Sequence, residues 1–344
     1  MKIVELIIKP FDKKLKYPLK TSSQDFYNRQ GLIIKIISDE GFGYGEASPL
    51  FGFSPESLKE ASYTLEGYRS AVVGLEETSF DELISLVDLH SNGYPSVEFG
   101  LDTALYDMFA RINGNSLSKF LNPNAYDTIK SNGIVGIHNP GDNFSYMKVK
   151  IGKKNLFDEL NNLDDLSNSY GDNISFRLDA NGSMDLNRAI RFCKEIERFN
   201  IDYIEQPIPK NQLEDLAELR YHTDIPIAVD ESLTNFQSAQ NIIEFQAADI
   251  LIIKPTISGR FDEIKNIINL SNSENLRTVI TSSLETNIGL SACAHLASAN
   301  LIKDACGLST FSLFENNNEL PFCFKNGIIS LTLGNGIGPI FDIN

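Results

Sequence analysis

Five polar clusters recur along the middle of the chain, each at the carboxyl end of a short apolar run. Lys148-Val-Lys150 sits in SYMKVKIG, Asp179-Ala-Asn181 in ISFRLDANG and Glu205-Gln206-Pro207 in IDYIEQPI; Asp230-Glu231-Ser232 closes IPIAVDES and Lys254-Pro255 sits in DILIIKPT. Asp179, Glu205 and Asp230 make a set of three carboxylates, the hard oxygen donors that Mg2+ takes in near-octahedral sites, with Mn2+ as an alternative. Lys150 and Lys254 bracket that set. A lysine partly desolvated beside a divalent cation has its pKa lowered and can work as a base, and its partner can be a second base or a cation that steadies negative charge. Lys148 points the same way as Lys150 because strand residues alternate, so the two ammonium groups lie near each other. A metal with amine bases beside it is suited to removing a proton alpha to a carboxylate, the cation stabilising the enediolate that results. Singly, an Asp at a strand end is more often a helix cap or an ion-pair partner, and Lys-Val-Lys an ordinary strand with solvated lysines. The periodic set argues for chemistry.

Residues 150, 179, 205, 230 and 254 are separated by roughly 24 to 29 residues, about one strand–helix–strand repeat of a (β/α) barrel, whose strand ends converge on one rim. IKSNGIVGI is the expected first barrel strand and SYMKVKIG the second, which puts Lys150 on strand two and Lys254 on strand six, facing each other across the mouth. Helices are expected over 155–167, 185–198, 211–221, 238–246, 261–271 and 289–299, with LRTVITSS as a later strand ending at Ser282-Ser283 and Gly307–Thr310 closing the barrel. Upstream, residues 2–9, 31–38 and 44–47 read as an antiparallel meander, followed by helices over 55–71, 79–90 and 95–112, the first capped by Ser54 and Pro55. A polar loop, 21–29, separates the first two strands. The expected organisation is an α+β capping domain at 1–120, a (β/α) barrel of the modified TIM type at 121–317, and a segment at 318–344 that returns to the capping domain.

A chain of 344 residues with 42% hydrophobic content suits one barrel plus a smaller domain. A net charge of −16 and a pI near 4.7 argue against nucleic acid or an acidic membrane surface as partner. The sign does not exclude an anionic small molecule, since a local metal and lysines can attract one. Cys193, Cys293, Cys306 and Cys323 form no zinc or CxxC spacing and read as buried free thiols in a reducing compartment. The N-terminus lacks the apolar core and cleavage site of a signal peptide, and no run reaches the roughly 18 apolar residues of a membrane span, so a cytoplasmic protein is expected.

The KxK, DxN, E, DE and K pattern resembles the enolase superfamily, in its muconate-lactonising-enzyme-like branch, over nearly the full chain. Within that branch, Gly45-Glu46-Ala-Ser48-Pro49-Leu50-Phe-Gly52-Phe53-Ser54, Pro95–Gly100, Ile253–Gly259, Thr281–Leu290, Gly307–Thr310 and Leu313–Asn317 are similar to stretches of the o-succinylbenzoate synthase family. The resemblance implies Mg2+ on Asp179, Glu205 and Asp230, with Lys150 and Lys254 on opposite faces of a small carboxylate substrate. It further implies a lyase reaction of menaquinone or phylloquinone biosynthesis: syn dehydration of 2-succinyl-6-hydroxy-2,4-cyclohexadiene-1-carboxylate to o-succinylbenzoate. Lys150 would then be base and general acid, and Lys254 a cation. Arg29, Ser282, Ser283 and Glu285 are expected around the substrate, and Lys148, Asn181 and Glu231 beside the ligands. The four histidines match no catalytic position of the branch.

The same catalytic set also serves racemisation of N-succinylamino acids or epimerisation of dipeptides, where both lysines exchange protons; muconate cycloisomerisation is a further alternative. A dipeptide epimerase is expected to carry an acidic motif after the seventh strand for the substrate ammonium, and here Ser282-Ser283 stand near that strand with no DxD. A catalytically silent binding barrel is expected to have lost a ligand or a lysine, and this chain keeps them all.

Overall fold

The computed structural model describes residues 1–20, 25–315, 320–331 and 334–339. The chain opens with an antiparallel meander, β1 (Ile3–Lys20), β2 (Asp25–Ser38) and β3 (Phe42–Ala47), in that spatial order. Four helices follow: α1 (Leu58–Val72), α2 (Phe80–Ser91), α3 (Pro95–Ile112) and the short α4 (Leu117–Leu121). α1 starts three residues later than expected. Ser57 caps it, and Glu60 returns the bond to complete a capping box, whereas the Ser54 hydroxyl accepts from the Leu50 N–H and closes the turn before it. α3 lies against β3 so closely that a Cβ on Gly45 would stand 1.9 Å from the Gly100 carbonyl oxygen. Gly45→Ala is expected to destabilise the protein by about 2 kcal/mol through forced separation of strand and helix, read as a lower urea midpoint at unchanged slope.

The rest alternates strand and helix. β4 (Thr128–Lys130) and β5 (Gly133–Ile134) split the expected first barrel strand; then come β6 (Tyr146–Lys150), α5 (Leu156–Tyr170), β7 (Ser175–Asp179), α6 (Leu186–Ile196), β8 (Ile201–Glu205), α7 (Leu213–Tyr221), β9 (Ile227–Val229), α8 (Phe236–Glu244), β10 (Ile250–Ile253), α9 (Pro255–Ser258), α10 (Phe261–Ser273), β11 (Arg277–Ile280) and α11 (Asn287–Ala299). β5 to β11 form one parallel sheet in sequence order. It closes through Cys306 and Gly307, which bridge Ser131 on one side and Thr281 on the other. These strands are apolar runs because helices cover the outside and packed side chains fill the inside: Tyr203, Ala228, Ile250, Ile252 and Val279 form an inner cluster, and Leu178, Ile204, Val229 and Leu251 join the larger core beneath the helices.

The C-terminal segment divides its attachments. β12 (Cys323–Lys325) and β13 (Ile328–Ser330) add to β4 at the barrel, and only beyond them does the chain reach the capping helices, where Ile337 donates to Asp107 of α3 and Leu117 donates to the Gly336 carbonyl. Cys193, Cys293 and Cys306 are buried, but Cys323 is exposed on its hairpin, contrary to the expectation for all four. Among the described residues no helix is long and apolar enough to cross a membrane.

Candidate active site

Parallel register sets the site. Lys150 of β6 pairs with Asp179 of β7, and Asp179 pairs with Glu205 of β8, so three chemical side chains stand in adjacent positions at the strand ends. Asp230 and Lys254 follow the last residues of β9 and β10. With eight positions around the closed sheet, β6 and β10 lie across the mouth from each other, which places Lys150 and Lys254 on opposite sides of the carboxylates.

Asp179, Glu205 and Asp230 are all buried. Lys148 donates to Asp179 at 2.8 Å and to both Glu205 oxygens at 2.8 and 2.9 Å. Lys150 holds the same Asp179 oxygen at 2.8 Å and also donates to the Asn181 side-chain oxygen. Asn181 turns its amide to Glu231 at 2.9 Å. On the far side Lys254 pairs with Asp230 at 2.5 Å, and its ammonium stands 4.7 Å from the centre of the Phe53 ring, which the capping domain supplies. Beneath this layer, the buried Arg177 guanidinium is sandwiched between Tyr146 and Tyr203 at 4.6 and 4.8 Å and pairs with Asp202 at 2.8 Å.

The electrostatics follow from three anions gathered out of water. Burial, then Asp179, push Glu205 up to about 8. Burial also acts to raise Asp179, but Lys148 and Lys150 outweigh it and hold that carboxyl well below its ordinary range. Burial would lower Lys148 and Lys254; for Lys148, Asp179 with Glu205 and Asp230 prevails, for Lys254, Asp230 with Glu231, and both ammoniums end above the usual lysine value. The sequence suggested lowered lysines beside a cation; with the carboxylates as their partners, these two shift the other way.

Among the described residues no three acids have side chains gathered to chelate an ion as they stand, because lysine ammoniums hold the oxygens. The donor set still fits a hard divalent cation. It offers three buried carboxyl groups on neighbouring strands, no sulfur or imidazole ligand, and in Glu205 a group whose raised pKa records a shortage of positive charge. Mg2+ on Asp179, Glu205 and Asp230 would supply that charge.

The cavity above has a volume of about 440 Å3, the size of a small-molecule site. Ser282 and Ser283 line it, and the buried Ser283 and Thr310 hydroxyls have no partner among the described residues. Two expected contacts are corrected. Arg29 is not a loop residue: it lies in β2, is 3% exposed, and spends its guanidinium on the carbonyls of Leu284, Gln30, Pro49 and Ser48. Glu285 is 1% exposed and turns away from the cavity to accept from Thr256, Ser282 and the Ser283 N–H. Of the expected loop, 21–24 lie outside the described residues. His138 joins two turns, accepting from the Ile134 N–H and bonding Ser312 at 3.1 Å.

Gln206 follows Glu205 directly at the end of β8. Fully buried at φ +39°, it accepts from the N–H groups of Asp230 and Ser232 and donates to the Ser232 hydroxyl and the Ile208 carbonyl. It fixes where Asp230 begins. Gln206→Ala is expected to weaken Mg2+ binding about tenfold or more, measured by calorimetric titration.

Comparison with known proteins agrees with this geometry. Residues 138–342 match the family described as Enolase C-terminal domain-like, and residues 15–108 match MenC, N-terminal domain. The chain is 29% identical over 309 residues to the D-Ala-D/L-Ala epimerase of Cytophaga hutchinsonii, covering 86% of this chain and 82% of that protein. It is also 29% identical over 298 residues to the o-succinylbenzoate synthase of Pasteurella multocida, covering 83% of each. The crystal structure of a Cytophaga hutchinsonii dipeptide epimerase, complexed with Mg and the dipeptide D-Ala-L-Val, superposes with a TM-score of 0.87 at 25% identity over 100% of this chain and 97% of that one. Dipeptide epimerases predominate among the relatives. Mg2+ dependence is characteristic of the fold family they share. By its matched domains, its closed parallel barrel and the carboxylate and lysine set at the barrel mouth, the chain belongs to the enolase superfamily.

Proposed function

We propose that the protein removes a proton alpha to a substrate carboxylate and completes the reaction as o-succinylbenzoate synthase, converting 2-succinyl-6-hydroxy-2,4-cyclohexadiene-1-carboxylate to o-succinylbenzoate in menaquinone or phylloquinone biosynthesis. Asp179, Glu205 and Asp230 would hold Mg2+, which when bound would supply positive charge where the substrate carboxylate gathers electrons. Lys150 takes the proton from the ring carbon bearing the carboxylate. Lys254, across the mouth, steadies the anion as a cation. Lys150 then gives its proton to the departing hydroxyl on the same face, so the C–H and C–O bonds break, water leaves and the ring becomes aromatic.

The observation that carries this reading is the charge of the cavity lining. Beyond Asp179, Glu205, Asp230 and Glu231, the described residues around the cavity are apolar or neutral apart from the three lysines. A free substrate ammonium would find no acid of its own, whereas a second carboxylate meets neutral hydroxyls. Racemisation of N-succinylamino acids or epimerisation of dipeptides is the second reading, and the predominance of epimerases among the relatives weighs toward it. N-Succinylation removes the ammonium, so the cavity argument bears only against the dipeptide.

One assay separates them. Mg2+-loaded protein is given the cyclohexadiene carboxylate, with o-succinylbenzoate followed by ultraviolet absorbance, and separately N-succinylamino acids and dipeptides in D2O. Dehydration with no alpha-deuteration is expected. No dehydration by a folded, metal-loaded sample that does deuterate an amino acid derivative would pass the function to the second reading.

A further inference from the structure

The turn at 282–286 lines the cavity through Ser282, Ser283 and Leu284, yet its geometry is not self-supporting. Leu284 sits at φ +66°, a backbone region costly for a residue with a γ-branched side chain. Thr286, the N-cap of α11, makes no side-chain capping bond to its own helix. Both gaps are filled from the capping domain, by two buried side chains of opposite charge.

Glu46 of β3, with no exposed surface, reaches across to α11 and accepts from the Thr286 N–H at 3.0 and 3.1 Å, the Thr286 hydroxyl at 2.5 Å and the Gly289 N–H at 3.1 Å. It therefore caps a barrel helix from outside the barrel, its carboxyl oxygens taking N–H groups at the helix N-terminus. Its fourth donor is the Ser48 hydroxyl at 2.6 Å. Arg29 holds the other flank, donating to the Leu284 carbonyl at 3.2 Å while its remaining bonds include the carbonyls of Ser48 and Pro49. The segment that follows Ser48 and Pro49 carries Leu50 and Phe53 into the same cavity. One buried junction thus joins the capping-domain wall of the substrate site to its seventh-strand wall.

We propose that Glu46 and Arg29 are positioning residues for substrate binding: the pair locks the strained 282–286 turn to the Leu50–Phe53 wall, so that the capping domain sets the width of the substrate site without touching the reacting atoms. The consequence for substrate choice rests on the function proposed above; the mechanical claim does not.

Two readouts keep these separate. In Glu46→Gln, an amide N–H meets donors where an oxygen stood, and in Thr286→Val the hydroxyl is lost; Thr286→Ser restores it. Hydrogen exchange followed by mass spectrometry is expected to show faster exchange in the peptide spanning 281–290, with the barrel strand at 201–205 unchanged. In the dehydration assay KM is expected to rise about tenfold while kcat stays within about threefold, with Thr286→Ser returning both readouts toward the parent. Exchange and KM unchanged in both variants would overturn the proposal, as would acceleration spread evenly over the barrel, which marks a merely structural role. If Glu46→Gln does not fold, Thr286→Val decides. If the parent does not turn over the cyclohexadiene substrate, the proposed function fails while the exchange data still decide the junction.

Discussion

Lys150→Ala is expected to lower turnover by about a thousandfold or more, the scale of a positioned general base that also returns its proton, while Mg2+ affinity changes only a few-fold. The contrast follows from how the side chain is held. Lys150 is 48% exposed and among the described residues its ammonium pairs with Asp179 and Asn181, so truncation opens no buried cavity. Asp179 keeps Lys148, which also holds Glu205, so the metal carboxylates stay in place. Activity is read by ultraviolet absorbance and metal affinity by calorimetry; substantial turnover in the variant would remove Lys150 as the base. Lys254→Ala gives the complementary reading. It also slows dehydration, through loss of a cation packed against Phe53 and Asp230. If the second reading of function holds, however, alpha-deuteration of the enantiomer facing Lys150 persists in Lys254→Ala while racemisation stops.

These side chains were legible because their signal is local and repeated. A strand end followed by a helix leaves one polar residue at the rim, and the barrel repeat brings each such residue to the same place. Parallel register then makes neighbours of Lys150, Asp179 and Glu205 without further information. Arg29 and Glu46 were less legible because their partners are 255 and 240 residues away. In the string around Arg29, polar neighbours suggest a solvated loop; the burial arises only when β2 folds onto Pro49 and the 282–286 turn. Gln206 was hidden for another reason, since a positive φ on a non-glycine residue has no sequence mark of its own. The first barrel strand was read as one piece, but Ser131 and Asn132 divide it: β4 below pairs with the late hairpin β12–β13, and β5 above with β6. Closure rests on isolated bridges at Cys306 and Gly307 and not a full strand, so the expected closing segment 307–310 takes part only through its first residue.

Glu205 makes metal-free stability fall with rising pH, and Glu205→Gln is expected to reduce that fall. Burial and the neighbouring Asp179 lift the Glu205 pKa from the ordinary 4.5 to about 8, so the folded state binds this proton more tightly than the unfolded chain. The contribution is fully present below the unfolded value and is lost as pH rises through the folded one. Asp179 has the opposite sign. Its pKa is held below the ordinary 3.8 by Lys148 and Lys150 against the effect of burial, so its contribution is lost only in acid and stays flat across the neutral range. With chelator present, the native protein should therefore be less stable at about pH 8.5 than at about pH 6, by an amount on the order of a few kcal/mol. The isosteric amide carries no charge to desolvate, so the variant should lose less stability than the parent between the two pH values, the remainder coming from groups such as Glu98, which burial pushes up to about 7, and it should melt above the parent at the higher one. Mg2+ reverses the order: the parent gains stability because the cation supplies what its three carboxylates lack, and the variant, one anionic ligand short, gains little. Differential scanning fluorimetry with chelator or Mg2+ at the two pH values checks all four conditions. A parent equally stable at both in chelator, together with a variant that Mg2+ stabilises as much as the parent, would show that the three carboxylates are balanced by their lysines alone and that Glu205 does not hold the metal.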